Sequence, residues 1–274
     1  MKSSSKMQRI FILCASAIAM TFLAGCSGNS SGGFQGYIEG EFVYIASPLA
    51  GTLTNLAVAR GNSVTNGQLL FELERGAETS ALDAAKKNLQ QAKAALELSE
   101  ATLKRREELR ANNGVISPEE LDQAKMKRDS DTAQVESLQA ALDKAKWSFD
   151  QKQQFAPTNA FVQDTLYRQG EFVAAGNPIV VLLPPANIKV RFFVTETILP
   201  QIKIGQTVSV NFDGATKNYS ATVNFISTQN EFTPPVLYNR ENRAKLIYMI
   251  EAGFSPADAA QLRPGQPVDV KLEK

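Results

Sequence analysis

The stretch Ala81-Leu82-Asp83-Ala84-Ala85-Lys86-Lys87-Asn88-Leu89 opens a pattern that decides the fold. Leu82, Leu89, Leu96 and Leu103 stand seven residues apart, with Ala85 and Ala92 at the companion position, amid Lys, Glu and Gln. Apolar residues at two positions of a heptad lay one stripe along a helix, the seam of a coiled coil. Further on, Leu121, Val135, Leu142 and Phe149 keep the same spacing, interrupted by Arg128, with Ala124, Leu138 and Ala145 as companions. Neither arm contains Gly or Pro, so each reads as one uninterrupted helix.

The two arms are joined by Ala111-Asn112-Asn113-Gly114-Val115-Ile116-Ser117-Pro118-Glu119-Glu120-Leu121. Gly114 suits the C-terminal cap of the first helix. Ser117, followed by Pro118 and by Glu120 three residues on, forms a capping box, with Ile116 and Leu121 placed as a hydrophobic staple. The expectation is an antiparallel helical hairpin whose arms, at ~1.5 Å per residue, reach about 50 Å. So long a hairpin buries only its seam, which points to an assembly of several copies.

The hairpin interrupts an internal repeat. Ser47 to Leu73 matches Ala156 to Leu182 at a constant offset of 109, pairing Pro48 with Pro157, Gly61 with Gly170, Val64 with Val173, Gly67 with Gly176 and Leu73 with Leu182. Each copy reads as strand, Gly-containing turn, strand. The spacing resembles the biotinyl/lipoyl domain. The carrier lysine of that domain sits in a Met-Lys-Met hairpin, which is absent here because the helices occupy its place. The repeat therefore reads as scaffold.

A second repeat follows at offset 60. Ile202-Lys203-Ile204-Gly205-Gln206-Thr207-Val208-Ser209-Val210 resembles Leu262-Arg263-Pro264-Gly265-Gln266-Pro267-Val268-Asp269-Val270. Val208, Val210 and Phe212, and then Val268, Val270 and Leu272, alternate as half-buried strands. With strands at Ile188 to Val194 and Ala221 to Ile226 they make a small β-barrel. Glu196 has no second carboxylate beside it and reads as a surface residue.

The amino terminus reads as an address. Lys2, Lys6 and Arg9 precede an apolar run from Ile10 to Leu23, which ends in Ala24-Gly25-Cys26. The run is short for a membrane span and has the layout of a signal peptide. Leu23-Ala24-Gly25-Cys26 resembles the bacterial lipobox, which implies that Cys26 is lipidated and becomes the first mature residue. Ser27-Gly28-Asn29-Ser30-Ser31-Gly32-Gly33 then reads as a flexible tether. Ser27 departs from the Asp that marks retention in the inner membrane.

Composition narrows the function. The 274 residues are 43% hydrophobic and 21% charged, within the range of a folded protein. There is no His, and the two Cys are Cys14 and Cys26. Zinc sites, Cys/His pairs and Ser-His-Asp triads are thereby excluded from the mature part. Without residues 1–25 the chain carries 26 basic against 28 acidic residues, which leaves no nucleic-acid footprint.

The expected architecture is α+β: a long antiparallel coiled-coil hairpin inserted in a split lipoyl-like β domain, followed by a small β-barrel. Its expected divisions are 1–25 signal peptide, 26–36 lipidated Cys and tether, 37–75 first strands and first lipoyl half, 76–154 hairpin, 155–185 second lipoyl half and 186–274 barrel. Lipid anchor, split lipoyl-like domain, hairpin and β domain in this order resemble the HlyD-like periplasmic adaptor, or membrane fusion, proteins.

The resemblance implies a non-enzymatic lipoprotein without cofactor, held in the periplasm of a Gram-negative bacterium, with the inner membrane as the favoured anchor. It implies a homo-oligomer of six copies between an inner-membrane exporter and a TolC-like outer-membrane channel. In that family the hairpin tip docks on the channel through an Arg, a Leu four residues later and a Ser before the descending helix. Arg105, Leu109 and Ser117 match in type, and Gly114 and Ile116 lie in the same tip stretch. The interval from Leu109 to Ser117 is eight residues, where the family pattern has seven. Ser117 has two readings, as a helix cap alone or as cap and channel contact. Arg105 is equally a solvated residue of the charged run Lys104 to Glu108.

Glu231-Phe232-Thr233-Pro234-Pro235 with Arg240-Glu241-Asn242-Arg243-Ala244-Lys245 resembles a segment of adaptors that serve ABC-type exporters, and reads equally as a loop before the strand Leu246 to Ile250. That resemblance, together with a chain that stops soon after the barrel, favours an ABC partner. The alternatives are an adaptor for a proton-driven efflux pump and an envelope spacer without a transporter.

Overall fold

The computed structural model describes residues 33–112, 115–215, 217–232 and 246–273. The signal peptide, Cys26, most of the tether, Gly114 and the segment from Thr233 to Lys245 lie outside the described residues. The α+β architecture expected from the sequence is borne out. The chain forms two units, one of residues 1–38, 190–254 and 265–274, the other of 39–189 and 255–264.

In the second unit eight strands form two four-stranded sheets. One sheet has the order β2 (Val43–Ala46), β9 (Pro178–Leu183), β7 (Ala160–Thr165), β4 (Ser63–Val64). The other runs β6 (Gln153–Phe155), β5 (Leu69–Leu73), β3 (Gly51–Leu56), β8 (Phe172–Val173). Each sheet takes strands from both repeat copies, so neither half can close a core alone. Leu53, Leu70, Phe71 and Leu73 of the first copy share one fully buried cluster with Val162, Ile179, Val180 and Leu182 of the second. The turns at Gly61 and Gly170 need a left-handed backbone, φ +94° and +93°, where a side chain would be strained.

Helices α1 (Gly76–Ala111) and α2 (Pro118–Asp150) leave this unit as the hairpin. The stretch 76–154 expected for the hairpin ends in strand rather than helix, because Gln153 and Gln154 pair with Glu72 and Phe71. The hairpin's root is tied to the sheets by polar contacts. The Arg75 guanidinium lies 4.6 Å from the centre of the Phe149 ring. The buried Lys152 ammonium donates to the Ala50 carbonyl (2.7 Å) and pairs with Glu78 (3.1 Å). Ser47 Oγ donates to the Gln151 carbonyl at 2.9 Å. A buried cation needs such partners, and Lys152 has them from both the loop before β3 and the first turn of α1.

The barrel is closed in the order β1 (Phe34–Gly40), β10 (Ile188–Thr195), β13 (Leu246–Phe254), β12 (Tyr219–Phe232), β11 (Thr207–Asn211), β14 (Pro267–Leu272). Its alternating strands put Val190, Phe192, Val194, Val208, Val210, Val268 and Val270 inside. On its outer face Arg191 donates to Glu251 (2.7 Å) and to the Tyr37 hydroxyl (3.4 Å).

Strand β1 corrects the boundary expected at 36/37. Phe34, Gln35 and Gly36 of the supposed tether pair with Val270, Asp269 and Val268 at the far end of the chain. Gly36 permits this, since a Cβ there would collide with the Arg191 carbonyl oxygen and the Phe192 Cβ. Among the described residues no helix is long and apolar enough to cross a membrane.

Candidate functional site

The candidate site is the free end of the hairpin, and its geometry is set by how the two helices are stopped and held. At the start of α2, Ser117 Oγ accepts from the Glu120 N–H (3.1 Å), while Glu120 Oε2 accepts from the Ser117 N–H (3.0 Å). This is the full capping box, with Pro118 at the first helical position. The acidic Glu119 and Glu120 also suit the positive end of the helix. Leu121 is buried and Ile116 half-buried, as a staple requires.

Beneath the tip, Leu103, Leu121 and Ala124 form a small core cluster of their own. Arg106, at a seam position of α1, reaches across to donate to the Glu120 carbonyl at 2.5 Å. The two helices are therefore fastened to each other within about two turns of the end.

Arg105 and Leu109 are four residues apart on α1, which places them one above the other on a single helical face. Both are exposed, and Leu109 keeps 49% of its surface in contact with solvent. Arg106, one residue on, is rotated by roughly 100° into the seam. This rotation separates the arginine that holds the hairpin together from the arginine that faces outward.

The structure thus brings Arg105 and Leu109 together, turns Ile116 partly inward and commits Ser117 to the cap. The cap uses an acceptor lone pair of the hydroxyl and leaves its proton to donate outward. Val115, which the motif comparison passes over, is the most exposed apolar residue at the tip. Its only signal in the sequence is an apolar side chain two residues before the cap residue Ser117.

Sequence reasoning also missed a polar layer further down the seam. Ser99 and Asp131 stand at companion positions where the heptad would place apolar residues, and both are buried. Asp131 accepts from Lys127, and this hydrogen bond, aided by Ser99, outweighs burial and holds its carboxyl below the ordinary range. Ser99 Oγ also donates to the Leu96 carbonyl at 2.9 Å. A notch of about 330 Å³ opens beside the layer, lined by Leu98, Thr102, Arg106, Gln123 and Lys127 among others.

No group of three or more His, Cys, Asp or Glu among the described residues is arranged to hold a metal ion.

Residues 81–152 match the family model described as "RND MFP, alpha-helical hairpin domain". Over 88% of its length the chain superposes on 97% of a membrane fusion protein from Streptococcus pneumoniae R6, with a TM-score of 0.64 at 17% identity. The chain has the membrane fusion protein fold. MacA from Actinobacillus actinomycetemcomitans shares that fold, with a TM-score of 0.58 at 18% identity over 87% of this chain and 76% of MacA. Among sequences, a UPF0194 membrane protein of Yersinia pseudotuberculosis is 28% identical over 86% of this chain and 88% of its own length. One from Enterobacter sp. (strain 638) is 26% identical over 82% and 83%. The residues that match the hairpin model include the paired Arg105 and Leu109.

Proposed function

We propose that this protein is the periplasmic adaptor of a tripartite export system. It is tethered by lipid on Cys26 and links an inner-membrane exporter to a TolC-like outer-membrane channel. Six copies form a ring in which the hairpin tips meet the channel and the barrels contact the exporter. The work is conduit formation, without chemistry at any residue of the chain. The observation that carries this reading is the outward pairing of Arg105 with Leu109 at the fastened end of a hairpin about 50 Å long. An exposed apolar residue beside a cation, on an element rooted this firmly, fits docking on a partner.

The exporter is read as ABC type, on the resemblance of the 231–245 segment. The name of the hairpin family model favours a second reading, a proton-driven RND pump. Affinity purification of the full lipoprotein from solubilised membranes, with mass spectrometry, tests all of this. The expected result is an exporter and an outer-membrane channel in the eluate, with the exporter's sequence deciding its class. The double variant Arg105→Ala/Leu109→Ala should keep the exporter and lose the channel. Undiminished channel in the double variant, or neither partner with the wild type, overturns the proposal; the latter is the outcome expected of an envelope spacer.

A further inference from the structure

The two halves of the lipoyl-like repeat have the same backbone and opposite surfaces. The turn Arg60-Gly61-Asn62-Ser63 corresponds to Gln169-Gly170-Glu171-Phe172. Both are closed alike: the Ala59 N–H donates to Asn62 Oδ1 (2.8 Å), and the Arg168 N–H to Glu171 Oε2 (2.9 Å). Ser63 then pairs with Phe161, and Phe172 with Thr52, so each cross-strand pair joins a phenylalanine to a hydroxyl residue in reversed order.

Beside Ser63 the surface is hollow. A cavity of about 310 Å³ is walled by Ala160, Phe161, Leu183, Pro185, Leu262 and Pro264, and its lining is mainly apolar. The exposed Arg263 guanidinium stands 5.7 Å from the centre of the Phe161 ring, at the cavity wall. At the equivalent place in the second half the surface is convex instead. Phe172 stands 68% exposed on the edge strand β8, next to the exposed Glu171.

An apolar knob and an apolar hole on the edges of different sheets match a contact between copies in which each contributes a different face. Such a head-to-tail contact repeats from copy to copy and closes into a ring when the rotation allows. Opposite charges can meet across it: the knob side carries Glu171 beside the exposed Arg168, and the hole side carries Arg263 and Arg60. An aromatic anchor flanked by an arginine is also the residue pairing in which interface free energy concentrates.

We infer that Phe172 of one copy seats in the cavity beside Ser63 of the next, with Glu171 facing Arg263. The closed ring rests on the adaptor reading above, and the contact itself rests on the knob and the hole.

The test is oxidative crosslinking of the full lipoprotein in membranes, with Glu171→Cys and Arg263→Cys in one chain and Phe172 intact. The expected product is a ladder of dimer, trimer and higher species. Each single variant should give none, which also controls for Cys14 and Cys26. Adding Phe172→Ser should reduce the crosslinked fraction roughly tenfold or more. A double variant that stays monomeric overturns the inference. A dimer from Glu171→Cys alone, the mark of a symmetric contact, does the same, as does a ladder indifferent to Phe172→Ser. A ladder without a channel in the affinity eluate sinks the adaptor reading and keeps this contact; a channel without a ladder does the reverse.

Discussion

The lipoyl-like sheets and the hairpin belong to one unit but are stabilised on different scales. In the sheets, thirteen residues from both repeat copies share one cluster, and Leu53, Leu70, Phe71 and Leu182 have no solvent exposure at all. In the hairpin, two helices of 36 and 33 residues share a single stripe. That stripe's compact cluster is Leu103, Leu121 and Ala124, and elsewhere the stripe buries the polar residues Ser99 and Asp131. Burial per residue governs hydrophobic stabilisation. The β core can therefore hold itself together, while the hairpin keeps most of its surface for other molecules and needs local devices to stay in register.

The largest break in this comparison should come from Phe71→Ala, which empties a fully enclosed site. A loss of about 3–5 kcal/mol is expected in urea unfolding followed by circular dichroism. Leu121→Ala, on the thin seam, should cost about 2 kcal/mol, the low end for such a truncation, because one side of the stripe can relax. Equal losses at the two sites would contradict the difference in scale. Ser117→Ala should cost ~1 kcal/mol by removing the cap, and Ser117→Asp, which can accept the same N–H, should restore most of it.

The smallest effect should lie at Asp131. Its carboxyl titrates below the usual Asp value of ~3.9, chiefly through Lys127, so it adds stability that is complete above that value. The contribution is lost as pH falls through the lowered folded-state value. Asp131→Asn should therefore flatten the acid limb of the stability–pH curve and leave the neutral region nearly parallel to wild type. An unchanged acid limb would show that the Lys127 contact is not maintained in solution.

The same contrast explains what could be read from the chain. The hairpin was legible because its signals are local: heptads, the absence of Gly and Pro, and a capping box contained in four residues. The split repeat was legible because its glycines recur at one offset, and the structure shows why they must. Strand β1 was not legible, because Phe34 to Tyr37 find their partners more than two hundred residues away and adjoin a Gly/Ser stretch with no pattern of its own. Ser99 and Asp131 were missed for a different reason: a scan for apolar residues passes over polar ones whose partners, the Leu96 carbonyl and Lys127, lie on their own helices. At the tip, residue types pointed to Arg105 and Leu109. Only the helix rotation separates Arg105, which faces outward, from Arg106, which fastens the hairpin.

The most direct measurement is in vivo photo-crosslinking from an unnatural residue at Leu109, with the adducts identified by mass spectrometry. Adducts with an outer-membrane channel subunit are the predicted result. Adducts confined to other copies of this chain would contradict the docking role of the hairpin tip.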